Sequence, residues 1–269
     1  MIGEPNDAPY IPLAGMGDVS TGVHAALAIV SALRYRDRTG EGQHLDIALL
    51  DVYYHYHEVN VHVYSATNGA VQPTRAGRHM TYACPGGVFR GKGGYLVIMS
   101  FLHHWKDLCQ AMNRLDLVDN PDFANDVARL QRRDEVVKII EDWLQNFPEI
   151  FTDEAANAAL APVSSSGETS DVPSAIVHLE KHQVPVAPVL SIAETVNHPH
   201  HRERGTVRTV HDRIHGDFQM PGMPLKFSKF PHPLPLEAAT LGQHNEEVLT
   251  TYLGRSKDEV QKLCEAGVL

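Results

Sequence analysis

The chain has 269 residues, 43% of them hydrophobic and 21% charged, with a formal net charge of -10. That is enough chain to bury a full core in one large domain or two smaller ones, and the acidic balance excludes the basic face a nucleic-acid binder needs. Cys84, Cys109 and Cys264 are far apart, odd in number and in no CxxC pair, which predicts reduced thiols in a cytoplasmic protein without a disulfide framework or a zinc knuckle.

Residues 1–17 are rich in proline and glycine and predict an extended lead-in, without the basic-then-apolar pattern of a signal peptide. A helix is expected from Ser20 to Tyr35. Its Gly22, Ala25, Ala26, Ala28 and Ala32 allow close packing against other backbone. Leu27, Ile29, Val30 and Leu33 make it apolar over most of its surface, the pattern of a buried helix. No run of about 18 apolar residues is free of charge and repeated polar interruption, so no membrane span is expected. RDRTGEG (36–42) stops the helix with charge and two glycines. QHLDIALLD (43–51) opens with strand-like alternation at Leu45 and Ile47, then passes into a helix over LLDVYYHYHEVNVHVYS.

Residues 66–80 read as a polar linker. GGVFRGKGGYLVIMS (86–100) predicts a hairpin around a Gly-Lys-Gly-Gly turn, with its second strand from Tyr95 to Met99. HHWKDLCQAMN (103–113) and DEVVKIIEDWLQNF (134–147) space their apolar residues by three and four, as helices do. SSSGETSDVPS (164–174) reads as a loop, AIVHLEKHQ (175–183) as a helix and VPVAPVLS (184–191) as an extended segment. Short strands follow in GTVRTV and DFQMPGMPLKFS. The chain closes with a helix over NEEVLTTYLG and one further helical turn. No internal repeat is present.

Asp18 is the carboxylate that draws attention, set between Gly17 and the start of the first helix. Aspartate is a favoured helix cap, because its oxygen accepts a bond from the free amides of the next turn. The same amides and the helix dipole favour a carboxylate anion that can attack an activated carbonyl. The residues alone leave both readings open. The histidine patches, His55, His57, Glu58 and His62, then His198, His200 and His201, are read as solvated or core-satisfied side chains, and no metal site is assigned. PGGVFRGKGG has the composition of a phosphate loop but neither the GxxxxGK[ST] nor the GxGxxG spacing, and fits a hairpin turn better. There is no GxSxG elbow.

Several segments, taken in order, resemble the class III CoA-transferase family (CaiB/BaiF-like), which includes carnitine, formate and oxalate CoA-transferases and alpha-methylacyl-CoA racemases. The opening block, GDVSTGVHAALAIVSALRYRDRTGEGQHLDIALLD, is similar to that family's Gly-Asp, Ala-rich helix and R..TG.GQ pattern. GVFRGKGGYLVI, VPVAPVLS, PGMPLKFS and LGQHNEEVL are similar to its later segments, so the resemblance runs from about residue 8 to the end.

The resemblance implies that Asp18 is a covalent nucleophile that forms a mixed anhydride from an acyl-CoA and then an aspartyl-CoA thioester. An acceptor carboxylic acid finally takes the CoA. The CoA thioester is then a substrate, with no permanently bound cofactor. Some family members carry a glycine run that closes over the intermediate; the matching region here, RHMTYACPGG, holds only Gly86 and Gly87 as substrate-loop candidates. The racemase branch uses the same aspartate as an acid–base group, and racemization or epimerization is the alternative activity. The implied fold is α/β, an incomplete Rossmann-like large domain (1–65 and 196–269) with a smaller α+β domain (66–195). Residues that would grip the CoA nucleotide are not assigned, because the family carries them before the Gly-Asp block. Three expectations follow: a split enzyme completed by a complementary N-terminal chain, a truncated piece, or a non-catalytic fragment that binds a partner. The family's interlocked homodimers add the expectation of a homo-oligomer.

Overall fold

The computed structural model describes residues 2–92, 94–101, 103–147, 172–230 and 236–269. The chain is α/β in content and divides into two compact units. The first contains the described residues 2–147 and 172–189, and the second 190–230 and 236–269.

The first unit opens with three helices: α1 (Met16–Thr39), α2 (Leu49–His55) and α3 (Glu58–Ala66). The first helix extends beyond the Ser20–Tyr35 pattern at both ends. Gly40 ends it in the left-handed region, φ 80°, where a side chain would be strained, and its amide bonds the Arg36 carbonyl at 2.7 Å. Contrary to the buried helix expected, α1 contains no buried residue. One side rests on the following helices: the Tyr56 hydroxyl donates to Ser20 Oγ at 2.6 Å, and the His24 and His55 rings meet edge-on at 6.3 Å. The opposite side is open. By length and composition alone α1 is long and apolar enough to cross a membrane, with a mean hydropathy of 1.3 over its apolar window, a test that the core helix of a soluble protein also passes.

Two local expectations fail nearby. No strand forms over 43–48, because Leu45 and Ile47 find no partner strand among the described residues, and alternation without pairing does not make a sheet. The single helix expected over 49–65 breaks at Tyr56 and His57 into α2 and α3.

The core of the unit lies around a three-stranded antiparallel sheet: β1 (Gly86–Gly91), β2 (Gly94–Met99) and β3 (Val186–Pro188), in the order β1-β2-β3. The hairpin forms where the sequence places it, and β3 lies within the extended segment VPVAPVLS. Around the sheet pack α4 (His104–Ala111), two short 3-10 turns (Leu115–Leu117 and Pro121–Phe123), α5 (Asp126–Gln131), α6 (Arg133–Gln145) and α7 (Val172–Lys181). The four-residue spacing of Val136, Ile140 and Leu144 lays one buried face of α6 against β1; Phe89 on that strand and Leu96 and Ile98 on β2 are all essentially inaccessible. Full burial of each such side chain is worth about 1.5–3 kcal/mol. Residues 164–171 of the expected loop lie outside the described residues, and its last three residues begin α7.

The second unit has α8 (Ile192–Asn197), α9 (Pro199–Glu203), the hairpin β4 (Val207–Asp212) with β5 (Gly216–Pro221), α10 (Asn245–Thr251) and α11 (Lys257–Glu265). Reciprocal capping boxes start two of its helices, Ser191 with Glu194 and Ser256 with Glu259. The last of them is a nine-residue helix where the sequence suggested one turn. Among its described residues only Val210 and Val260 are buried apolar side chains.

Candidate functional site

Asp18 is the third residue of α1, so it lies inside the first turn and is not the cap. The capping position is Gly15, which has no side chain to offer, and no side-chain bond closes this end of the helix. The Gly15 carbonyl accepts the first helical bond from the Val19 amide at 3.0 Å. The Asp18 side chain is exposed and takes part in no hydrogen bond or ion pair among the described residues. A Cβ on Gly15 would sit 3.8 Å from its Oδ2, in ordinary contact. Beside it, the inner side of the helix is occupied: Thr21 donates to the Gly17 carbonyl at 2.7 Å, and Tyr53 packs 3.6 Å from where a Gly17 Cβ would be. Free first-turn amides next to an unpartnered carboxylate form a place where negative charge on a reacting group is favoured.

Gly86 and Gly87 belong to a different feature. The segment Arg78–Met80, expected as the end of a linker, crosses the start of β1. The Met80 amide bonds the Gly86 carbonyl at 2.8 Å, and the Val88 amide bonds the Arg78 carbonyl at 2.9 Å. Gly87 has φ 146°, and a Cβ there would lie 2.4 Å from the Arg78 carbonyl oxygen. A Cβ on Gly86 would lie 2.8 Å from the Phe101 ring. Gly87 is therefore demanded by the crossing itself, and Gly86 chiefly by the Phe101 ring. No hydrogen bond or ion pair joins Asp18 to them among the described residues.

The crossing segment brings in a histidine that the sequence reading passed over as linker. The His79 ring lies tilted against Phe89, at 59° with ring centroids 4.9 Å apart, and neither of its ring nitrogens has a hydrogen-bond partner among the described residues. Burial, then the neighbouring Arg78 charge, pushes its pKa below the usual imidazole value. It borders a cavity of about 360 Å³ that is also lined by Arg78, Arg133, Lys138 and Glu141. Glu141 organises this wall, accepting from Arg78 Nη1 at 3.1 Å and from the Arg90 amide at 2.9 Å. Asp18 is not part of that lining.

Arg129, also passed over, anchors the chain that enters β1. Only 2% exposed, it donates from Nε to the Cys84 carbonyl at 2.6 Å, from Nη1 to the Phe123 carbonyl at 2.8 Å and from Nη2 to Asp126 Oδ1 at 2.5 Å. Its guanidinium carbon stands 5.0 Å from the centre of the Trp105 ring. Burial pushes the neighbouring Cys84 thiol up to about 11 and Cys109 to about 12, so these thiols are packing groups and not nucleophiles. Nothing local could have revealed Arg129, because the Cys84 carbonyl it holds is 45 residues away in the chain.

The His198, His200 and His201 rings lie 4.9 to 6.4 Å apart, with His201 Nδ1 bonded to the Thr195 carbonyl. Among the described residues no group of three or more His, Cys, Asp or Glu is arranged to hold a metal ion.

Comparison with known proteins adds to this geometry. A sequence profile described as CoA-transferase family III matches residues 1–245. A formyl-CoA:oxalate CoA-transferase of Rhodopseudomonas palustris (strain BisB18) is 26% identical over 282 residues, covering 97% of this chain and 61% of that protein. A succinyl-CoA:mesaconate CoA-transferase of Haloarcula hispanica is 30% identical over 253 residues, covering 93% and 56%. Among solved structures, a CaiB/BaiF family protein from Brucella suis superposes with a TM-score of 0.64 at 23% identity, over 91% of this chain and 57% of that one. Rv3272 from Mycobacterium tuberculosis gives 0.66 at 20% identity, over 90% and 58%; at these identities the likeness is one of fold. The chain spans about three-fifths of the length of the curated relatives it matches.

Proposed function

The chain belongs to CoA-transferase family III, and from that premise we propose that it supplies the nucleophilic aspartate, Asp18, for CoA transfer between two carboxylic acids. The observation that carries the reading is the state of that carboxylate: exposed, in the first turn of α1 and without a hydrogen bond or ion pair among the described residues. A structural cap would have spent its oxygens on the helix amides.

In the proposed sequence an Asp18 oxygen attacks the acyl-CoA carbonyl, forming the aspartyl-acyl anhydride and expelling CoA as thiolate. The thiolate attacks the aspartyl carbonyl of the anhydride, giving aspartyl-CoA thioester and releasing the donor's carboxylate. The acceptor carboxylate attacks this thioester to form a second anhydride and free the thiolate again. The thiolate then takes the acceptor acyl group, restoring Asp18. Each step exchanges a carboxylate for a thiolate at an activated carbonyl, which divides one difficult transfer into easier ones. Backbone amides near the first turn of α1 serve the developing oxyanions. Small acids of the kind named in the relatives, oxalate, mesaconate, succinate or formate, are the proposed acyl and acceptor groups. Gly86 and Gly87 serve by holding Arg78–Met80 in place over the hairpin. The CoA thioester is a substrate and no resident cofactor is required. We place the protein in the cytoplasm, consistent with its free thiols, as a homo-oligomer or with a complementary chain.

The test is to incubate the purified protein, in the assembly it forms, with succinyl-CoA or formyl-CoA and then hydroxylamine. Mass spectrometry of the Asp18 peptide should find the hydroxamate, and Asp18→Asn should abolish both it and transfer. Exchange of an acyl-CoA alpha proton in heavy water, with Asp18 unmodified, would replace this reading with the racemase one.

A further inference from the structure

We propose that Arg78–Met80 is a pH-operated strap on the open edge of the three-stranded sheet, closed while the His79 imidazole is neutral and released when that ring takes up a proton. The inference goes beyond the CoA-transferase reading and is independent of it.

The strand β1 is an outer strand in the order β1-β2-β3, and the outward backbone groups of an edge strand need a cover. Two covers share them. Toward the end of β1 they come from α6: Glu141 accepts from the Arg90 amide at 2.9 Å, and Gln145 Nε2 donates to the Arg90 carbonyl at 3.1 Å. At its start the cover is the strap, antiparallel to β1 with His79 opposite Gly87. Two backbone bonds hold it there, from the Met80 amide to the Gly86 carbonyl and from the Val88 amide to the Arg78 carbonyl. The Arg78–Glu141 ion pair, at 3.1 Å, pins its first residue to α6. So short a pairing can open locally, whereas β1 and β2 pair along the whole of both strands.

His79 is the middle of the strap. Its ring lies against Phe89, and a Cβ on Gly87 would come within 2.7 Å of its Cα and 2.8 Å of its Nδ1. Both ring nitrogens are closed off from solvent and have no hydrogen-bond partner among the described residues. A neutral ring leaves one N–H and one lone pair unanswered; an imidazolium leaves two N–H donors and a positive charge. Burying an unpaired charge costs far more than burying an unanswered polar group.

The neighbouring charges do not repair this. On the strap, Arg78 is a cation already bound to Glu141. Along the same cavity α6 presents Arg133 as a second cation, Lys138 paired with Asp142 at 2.5 Å, and an Asp134 side chain 97% exposed to water. Glu4, which lies against Gly77, is exposed as well. At the crossing β1 presents only Gly87 and the apolar Phe89. Burial, then Arg78, hold the ring below the usual imidazole pKa; Glu141 acts in the opposite sense. The released strap therefore takes up the proton more readily, and by linkage acid favours release. Release bares the Gly86 carbonyl, the Val88 amide and Phe89, and removes one wall of the cavity of about 360 Å³.

Hydrogen exchange of the purified chain, read by mass spectrometry, tests the strap. Protection of the Met80 and Val88 amides, corrected for the intrinsic exchange rate, should fall together by at least about threefold between pH 7.5 and 5.5. One proton on a released ring of pKa about 6.5 sets a ceiling of about tenfold. Peptides within Gly94–Met99 should keep their protection. His79→Phe keeps a ring against Phe89 and takes no proton, so its two amides should be equally protected at both pH values. His79→Gln, without the ring, should be less protected throughout and equally independent of pH. Constant protection in the wild type, an equal loss across Gly94–Met99, or a pH-dependent loss that persists in either variant overturns the strap.

Discussion

Replacing Arg129 with methionine tests the core argument most directly. The methionine retains much of the apolar stem but removes three hydrogen bonds and the cation over Trp105. Two carbonyls, of Cys84 and Phe123, lose their partner, and the Asp126 carboxylate keeps its charge beside a group that no longer answers it. Breaking a buried pair from one side costs about 3–5 kcal/mol. The Asp126 side chain is 24% exposed and can recover some hydration, which favours the lower end, about 3 kcal/mol. With a urea dependence of about 2 kcal/mol per molar, the unfolding midpoint should fall by roughly 1.5 M. Trp105 and Trp143, the protein's two tryptophans, both lie in the first unit and report its unfolding by fluorescence. Adding Asp126→Asn should restore part of the loss, because it removes the uncompensated charge. A midpoint change below about 0.3 M, or a double variant no better than the single one, would show that Arg129 is not what ties α5 to the entry of β1.

Gly87→Ala should destabilise the first unit by about 2 kcal/mol or more, from its backbone conformation and the close Arg78 carbonyl; urea titration reads this, and a neutral result would mean the crossing is looser than described. The pKa of His79 is lowered by burial, so the folded state binds its proton less readily than the unfolded chain. Its contribution should be intact well above the unfolded value of about 6.5 and be lost as pH falls below it. The urea midpoint of His79→Phe should accordingly fall less than the wild type's between pH 7.5 and 5.5, and parallel curves would contradict the burial argument. Iodoacetamide at pH 8 should label the exposed Cys264 alone in the native protein and all three thiols in urea. Native labelling of Cys84 or Cys109, whose thiols burial pushes to about 11 and about 12, would refute their packing role.

What local chemistry governs was legible along the chain. The 86–100 hairpin follows from two strand-forming runs around a glycine turn. Helix α6 follows from the four-residue spacing of Val136, Ile140 and Leu144, and the first helix from its Ala-rich run. Asp18 was legible as a carboxylate at a helix start and, through the ordered resemblance, as the candidate nucleophile. Its actual place, inside the first turn with no bonding partner among the described residues, came from the fold, because the helix begins at Met16 and leaves the capping position to a glycine. Other features depended on partners distant in sequence. Leu45 and Ile47 alternate like a strand but have no strand to pair with, and Arg129 closes on a carbonyl 45 residues away. Gly87 acquires its reason only when Arg78–Met80 crosses it, and Gly86 when the Phe101 ring closes over it. Composition and periodicity determined most of the helical and extended segments and named the candidate reactive residue. Tertiary structure decided which faces are covered, since burial is a property of neighbours, and the apolar side of α1, read in the sequence as core, is left open.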